Sequence, residues 1–287
     1  MTFVRRLFMT SAVLAGAGAV SAITTREVLR RQAAVARAVI GKPLGELAPD
    51  ADRVYKKRLG DRVELVLLGD SIAAGLGADD ERGTLGSRLA RGVAKASGRS
   101  VRLTTVARVG SESSVLGEQV ADLPANLRPD VAVIVVGGND VTHRVPVSES
   151  VKHLVGAVEE LQARGAEVVV GTCPDLGALR PVPQPLRALG SRASRQLAAA
   201  QRVAALDHGA WSVSLADVVG PFFITNPDEM FSLDRFHPSA VGYKRTAKAM
   251  LPSVLAALGE QETGHVLPFG HQAPRAVDDV SGRAPTG

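Results

Sequence analysis

Three side chains in the sequence are of the types that act together in nucleophilic catalysis: a serine, a histidine and an aspartate. Ser71 follows an apolar run in "LVLLGDSIAAG", and Asp234 and His237 lie three residues apart in "DRFHP". A serine hydroxyl becomes a good nucleophile when a base removes its proton, and imidazole, which titrates near neutral pH, can be that base. A carboxylate can orient the ring and stabilise the imidazolium. The spacing predicts that Asp234 and His237 share one side of a helical turn, and the set indicates acyl transfer through Ser71.

Acyl transfer also needs hydrogen-bond donors for the oxyanion of the tetrahedral intermediate. The sequence offers three candidates: the backbone N–H of Ser71, the backbone N–H of Gly110 in "VARVGSES", and the side-chain amide of Asn139 in "GGND". Each of them follows an apolar run that is typical of a strand. Ligands of open α/β sheets bind beyond the carboxyl ends of the strands, so we expect these donors to meet at one edge of a sheet.

Five short apolar runs predict the strands that would carry these residues. The runs end in glycine or in a polar turn, and they are apolar throughout rather than alternating, as parallel strands covered on both faces require. They span residues 63–69, 101–107, 131–137, 166–172 and, most weakly, 211–216.

Helical patterns lie between the predicted strands, at residues 84–98, 147–165, 187–206 and 239–259. Strands that alternate with helices indicate an α/β fold. We therefore predict a three-layer α/β/α sandwich with a mostly parallel, five-stranded sheet.

The N-terminal residues predict a targeting signal rather than part of the folded domain. Arg5 and Arg6 precede an uncharged run over residues 7–23 that is short and rich in Ala and Gly, which favours a signal peptide over residues 1–22. The paired arginines resemble a twin-arginine export signal. The alternative is an uncleaved signal anchor, held in the membrane through residues 7–23. Both interpretations predict an extracytoplasmic protein, either secreted or anchored to the outer face of the cytoplasmic membrane.

The rest of the chain divides into three predicted regions. Residues 23–60 are charged and Ala-rich and predict a helical spacer or a helix docked on the domain. Residues 61–260 hold the strands, helices and candidate catalytic residues of one domain. Residues 261–287 hold Gly, Pro and charge without periodicity and predict a disordered tail.

Composition and spacing argue against several other classes of protein. The net charge is +5, but aromatic residues make up only 3% and no run of five basic residues occurs, so we expect no nucleic-acid partner. The histidines show no metal-ligand spacing and no GxGxxG or GKS/T motif is present, so the sequence predicts neither a metal nor a cofactor. The single cysteine, Cys173, is expected to be a small buried apolar residue.

Four short blocks, in this order along the chain, resemble those of the SGNH or GDSL hydrolases. They are "GDS" at Ser71, Gly110, "GGND" at Asn139, and "DRFH", which fits the DxxH pattern of that family. The resemblance covers about residues 63–258. Ile72 stands where many members have leucine, and because both residues are apolar we expect no chemical consequence.

The resemblance implies a fold, an activity and a set of site residues. It implies a flavodoxin-like sandwich and an esterase or lipase in which Ser71 is the nucleophile and Asp234 and His237 complete the triad. It further implies an oxyanion hole made of the N–H of Ser71, the N–H of Gly110 and the amide of Asn139. The substrate would be a small-molecule, lipid or acylated sugar ester.

Other functions compete with an esterase at this stage. An envelope sugar O-acyl esterase or acyltransferase uses the same triad, and no sequence feature excludes it. A non-catalytic binding domain of the cell surface would be marked by loss of Ser71 or His237, and both are present. An α/β-hydrolase has a GxSxG elbow, whereas Ala73 stands where the second glycine belongs.

Overall fold

The fold is built on a seven-stranded sheet, seen in a computed structural model that describes residues 26–260 and 267–274. The strands in chain order are β1 Val54–Tyr55, β2 Gly60–Gly69, β3 Arg99–Thr105, β4 Val131–Val135, β5 Glu167–Gly171, β6 Trp211–Val213 and β7 His271–Gln272. Across the sheet they are ordered β1-β3-β2-β4-β5-β6-β7.

The predicted α/β class is confirmed, but the predicted number of strands, five, is wrong. Strands β2 to β6 pair in parallel and coincide with the five apolar runs. The two additional strands, β1 and β7, lie at the edges and pair antiparallel with β3 and β6. Each has only two residues, which is too short for a hydrophobic period, so the sequence carried no signal for them.

Eleven helices and two short 3₁₀ turns connect the strands in the described part of the chain. The helices are α1 (26–40), α2 Ser71–Ala74, α3 Leu85–Ser97, α4 Leu116–Asp122, α5 Gly138–His143, α6 Val147–Ala163, α7 Leu186–Asp207, α8 Leu215–Val218, α9 Gly220–Thr225, α10 Pro227–Met230 and α11 Ala240–Ala257. The 3₁₀ turns are Ser113–Val115 and Leu176–Ala178.

Both faces of the sheet are covered, which gives the three predicted layers. Successive residues of β2 point to opposite faces, so Leu67 packs in a cluster with α3 and α11, and Leu68 packs in a second cluster with α4 and α6. Every residue of β4 is buried. This two-sided burial explains why the sequence of β4 is apolar throughout.

Gln32 of helix α1 is hydrogen-bonded to the segment at the start of α7, and Ala36 of the same helix is buried. The side chain of Gln32 donates to the carbonyl of Gln184 at 2.5 Å and accepts from the N–H of Leu186 at 3.1 Å. The region 23–60, predicted as a helical spacer, thus holds both this docked helix and the edge strand β1. The predicted signal peptide or anchor of residues 1–22 lies outside the described residues. Among the residues that the structure covers, no helix is both long and apolar enough to cross a membrane.

The predicted disordered tail needs correction for residues 267–274. Here β7 pairs with β6, and the side chain of His271 is buried and hydrogen-bonds Ser253 of α11 at 2.7 Å. Burial lowers the pKa of His271. This segment is fixed by one side chain and two residues of pairing, and neither produces a periodic pattern. The other residues of the predicted tail beyond residue 260 lie outside the described residues.

Candidate active site

Ser71 is positioned by a tight turn at the end of β2. Gly69 has a φ of +128°, and a Cβ at this position would lie 1.9 Å from the carbonyl oxygen of Val135, so only glycine allows β2 and β4 to approach this closely. Asp70 then caps α2, because its carboxylate accepts from the N–H of Ile72 at 2.9 Å. Ser71 is the first residue of α2, so its N–H has no partner within the helix.

Asp234 holds His237 through both its backbone and its ring. The Oδ1 atom of Asp234 accepts from the N–H groups of Phe236 and His237, each at 2.9 Å, and Oδ2 lies 2.5 Å from Nδ1 of His237. The turn is not helical as the spacing had suggested. Arg235 has a φ of +55°, and Pro238 disfavours helical backbone at His237. A single carboxylate therefore builds the turn and orients the imidazole.

The structure brings Ser71, His237 and Asp234 into one hydrogen-bonded row. The Nε2 atom of His237 lies 2.9 Å from Oγ of Ser71, and Nδ1 of the same ring faces Asp234. Burial acts to raise the pKa of Asp234, but hydrogen bonds from the ring and backbone of His237 outweigh it, so this pKa lies below its ordinary value. The aspartate therefore stays ionised beside the imidazole. Such a row can take a proton from the serine and hold it on the ring.

Asn139 follows the end of β4 and lines the same pocket as Ser71 and His237. It lies in α5, and its Nδ2 donates to the carbonyl of Ser111 at 2.9 Å, which uses one of its two amide hydrogens. Ser71, His237 and Asn139 line the same pocket, so the second amide hydrogen is available at its wall. Gly110 is not among the described residues that line this pocket. It lies in the turn directly before Ser111, with a φ of +82°.

Asp140 ties the same loop to α5 and α6. Its buried carboxylate accepts from the backbone N–H of Ser113, at 3.1 and 3.2 Å from its two oxygens, and from the hydroxyl of Ser150 at 2.7 Å. Asn139 and Asp140 together fasten the loop after β3 to the start of α5, and so fix the distance between Gly110 and Asn139.

Two buried glutamines near the site were not singled out from the sequence. Gln119 accepts from the N–H of Gly69 at 2.8 Å and donates to its carbonyl at 2.9 Å. Gln201 accepts from the N–H of Cys173 at 2.7 Å and donates to the carbonyl of Val136 at 3.0 Å. They satisfy backbone groups where β2, β4 and β5 end. Both fall on the buried side of their helices. A polar residue at such a position was the one feature of the sequence that could have indicated them.

Two further titratable groups near the site are shifted by burial. Burial raises the pKa of Asp70 to about 6, against the hydrogen bond from Ile72 and the attraction of His237. Burial also raises the pKa of Cys173 well above its ordinary value. Because the thiolate is the nucleophilic form of cysteine, Cys173 is suited to packing rather than to catalysis, as expected.

A pocket of about 760 Å³, its open mouth included, extends from the Ser71–His237 pair. Most of its wall is apolar. The apolar side chains come chiefly from the 3₁₀ turn after β5, from the region of the short helices α8 and α9, and from the residue after α10: Leu176, Ala178, Leu179, Leu215, Val219, Phe223 and Phe231. An apolar pocket with a few converging polar groups is the usual form of a small-molecule site.

Comparison with known proteins identifies the class to which this fold and site belong. The GDSL-like lipase/acylhydrolase family matches residues 67–245. The chain is 39% identical over 264 residues to a GDSL-like esterase of Mycobacterium tuberculosis, covering 86% of this chain and 84% of that protein.

Solved structures share the fold at low sequence identity. A lipase from a goat rumen metagenome is 20% identical with a TM-score of 0.54, over 68% of this chain and 97% of that chain. A catalytic mutant of an acetylxylan esterase from Geobacillus stearothermophilus is 18% identical with a TM-score of 0.54, over 70% of this chain and 96% of that chain. The chain belongs to the GDSL-like lipase/acylhydrolase family, and it is an esterase or lipase, as the sequence predicted.

Proposed function

We propose that the protein hydrolyses carboxylic esters through an acyl-enzyme on Ser71, with His237 as the base and Asp234 as the residue that orients it. The observation that carries this proposal is the row of contacts from Ser71 Oγ to His237 Nε2, at 2.9 Å, and from His237 Nδ1 to Asp234, at 2.5 Å. The row lies at the wall of a mostly apolar pocket on which a few polar groups converge.

The proposed reaction has two stages that use the same groups. The Oγ atom of Ser71 attacks the ester carbonyl while Nε2 of His237 takes its proton, and the carbonyl electrons move to oxygen. The intermediate collapses to the acyl-enzyme, and the alcohol leaves with the proton from His237. Water then attacks the acyl-enzyme as His237 takes its proton, and the acid leaves while the proton returns to Ser71.

We assign the oxyanion of each intermediate to three donors. They are the N–H of Ser71, the N–H of Gly110 and the free amide hydrogen of Asn139. The second hydrogen bond of Asn139, to Ser111, supports its role because it holds the amide in one orientation before the charge develops. The assignment of Gly110 rests on its place next to Ser111 in the same turn.

Substitution of the serine tests the proposal. Ser71→Ala is expected to lower kcat for a p-nitrophenyl ester by about 10⁶-fold, because the nucleophile acts as a unit with its base. When turnover by the wild-type protein is stopped with acid, the mass of the protein is expected to be larger by one acyl group. Ser148→Ala, an exposed serine on α6, serves as the control and is expected to keep both properties. An acyl adduct on the Ser71→Ala protein would contradict the proposal.

We also propose that the domain works outside the cytoplasm. Arg5, Arg6 and the uncharged run over residues 7–23 support this location. Replacing both arginines by lysine is expected to block export if the signal is of the twin-arginine type. Fractionation of cells that make the full chain measures this. A cytoplasmic wild-type protein that keeps its first residues would contradict the proposed location.

A further inference from the structure

We propose that the apolar pocket beside Ser71 receives the acyl group of the substrate, and that the enzyme therefore prefers esters of apolar carboxylic acids longer than acetate. This inference rests on the proposed acyl-enzyme mechanism and adds the class of acid to it. The pocket begins at Ser71 and His237, where the acyl carbon would be bonded, and continues between the 3₁₀ turn Leu176–Ala178 and the helices α8 to α10.

The walls of the pocket are apolar and well ordered by packing. Leu215, Val219 and Phe223 are buried side chains of the main core, and Phe231 packs edge-on against Phe223 with 4.9 Å between ring centroids. These side chains also line the pocket, so the same residues that stabilise the fold form its surface. An alkyl chain in contact with such a wall leaves water without losing a hydrogen bond.

Away from Ser71, His237 and Asn139, the polar side chains that line this pocket already have partners within the protein. Asp175 accepts from the N–H of Gly177 at 2.8 Å and from two guanidinium nitrogens of Arg195 at 2.9 and 2.7 Å. The hydroxyl of Thr246 donates to the carbonyl of Gly242 at 3.0 Å. A sugar ring in the pocket would lose hydrogen bonds to water and would gain few hydrogen bonds to the protein in their place, which costs free energy. An acyl chain has no such requirement.

The preference is expected to appear as a dependence of kcat/KM on acyl length. Each methylene that leaves water for the pocket is expected to raise kcat/KM by about fourfold. The measurement uses p-nitrophenyl acetate, butyrate and hexanoate, with an acetylated sugar as a fourth substrate. We expect kcat/KM to rise from acetate to hexanoate. The inference would be overturned by acetate or the acetylated sugar as the best substrate.

Gly220 allows the pocket to be narrowed with little strain. It lines the pocket, is buried and has an ordinary φ, and a Cβ there would have one neighbour within 4 Å, the carbonyl oxygen of Leu215 at 3.9 Å. Gly220→Leu is therefore expected to extend into the pocket and to lower the ratio of kcat/KM for hexanoate over acetate by about tenfold or more. The ratio does not depend on how much of the protein is folded.

Two companion variants make the experiment decisive. Gly156→Leu adds the same side chain on α6, where a Cβ would have no neighbouring atom within 4 Å, and is expected to keep the wild-type ratio. Val219→Phe adds bulk to the same wall as Gly220 and is expected to lower the ratio as well. An unchanged ratio in both wall variants would overturn the acyl pocket but not the acyl-enzyme. Hydrolysis that survives Ser71→Ala would overturn both.

Discussion

The Nε2 atom of His237 lies 2.9 Å from the Oγ atom of Ser71, although 166 positions of the chain separate the two residues. Ser71 begins α2 at the end of β2, an inner strand of the sheet, whereas His237 lies in the turn before α11. The hydroxyl of Tyr243 in α11 bridges these regions, because it donates to the carbonyl of Leu76, just after α2, at 2.7 Å. The helix that follows the base is thus hydrogen-bonded to the segment that holds the nucleophile.

Removing this bridge is expected to weaken the site and the fold together. Tyr243→Phe leaves the buried carbonyl of Leu76 without its donor, so the free energy of unfolding is expected to fall by about 1–3 kcal/mol. The Ser71–His237 geometry is expected to loosen and kcat per folded molecule to fall by roughly tenfold. Tyr55→Phe is the control, because Tyr55 is also buried and donates to the carbonyl of Ala51 at 2.8 Å, in the edge region around β1. Equal values of kcat for the two variants would contradict a positioning role.

Asp234→Asn tests the orientation of the base. The amide oxygen can still accept from the backbone N–H groups of Phe236 and His237, so the turn is expected to fold. The carboxylate that holds the correct tautomer is lost, and kcat is expected to fall by about 10⁴-fold, as it does when serine proteases lose the equivalent charge. Asp61→Asn, an exposed carboxylate at the start of β2, is the control. Near-normal turnover by Asp234→Asn would show that another group orients His237.

Asn139→Ala separates an oxyanion donor from a structural turn residue. A donor that acts mainly on the charged intermediate contributes to kcat more than to KM, and kcat is expected to fall by about 10²- to 10³-fold. The melting temperature, measured on the same preparation, is expected to fall only slightly, although the bond to Ser111 is lost. Asn226→Ala, an exposed asparagine between α9 and α10, is the control. A large loss of stability with near-normal kcat would remove Asn139 from the oxyanion hole.

Asp70 is expected to make the protein less stable as the pH rises. Its pKa is raised by burial from 3.8 to about 6, so between these values the folded state binds more protons than the unfolded state. The stabilising contribution of the neutral carboxyl is therefore complete below pH 3.8 and is lost as the pH rises through 6. Ionised Asp70 destabilises the fold at neutral pH.

Asp70→Asn removes this charge and keeps a side chain that caps helices equally well. The gain in the free energy of unfolding is expected to be larger at pH 7.5 than at pH 4.5 by about 2 kcal/mol. Denaturant unfolding of both proteins at the two pH values measures it. Asp228→Asn, which removes an exposed carboxylate on α10, is the reference for a change of charge alone. A gain that is larger at pH 4.5 would contradict this assignment.

The central part of the fold could be predicted because its strands are covered on both faces. Burial on two sides favours apolar residues at every position, so β4, most of β5 and the second half of β2 appear as continuous apolar runs, whereas β3 and β6 carry a weaker pattern. The edge strands β1 and β7 have two residues each, and they depend on pairing with β3 and β6 rather than on a pattern of their own. Pairing of this kind is a tertiary property that local sequence does not record.

The candidate site likewise contains residues that the local sequence indicates and residues whose role depends on tertiary packing. Ser71, Asp234, His237 and Asn139 could be predicted as candidates because their residue types are chemically distinctive and follow strands or precede a helix. Gln119, by contrast, is one polar residue in a helix, and its two bonds to Gly69 form only once α4 is packed against β2. The helical turn expected for Asp234 and His237 was wrong because Pro238 and the side chain of Asp234 together favour a different backbone.

Covalent labelling is the most direct test of Ser71 as the nucleophile. A fluorophosphonate forms a bond from phosphorus to an activated serine oxygen and releases fluoride. We expect one label per chain, located by peptide mass spectrometry at Ser71, absent from Ser71→Ala and formed far more slowly in His237→Ala. A label at Cys173 or at another serine, or labelling that is unchanged in Ser71→Ala, would contradict the account.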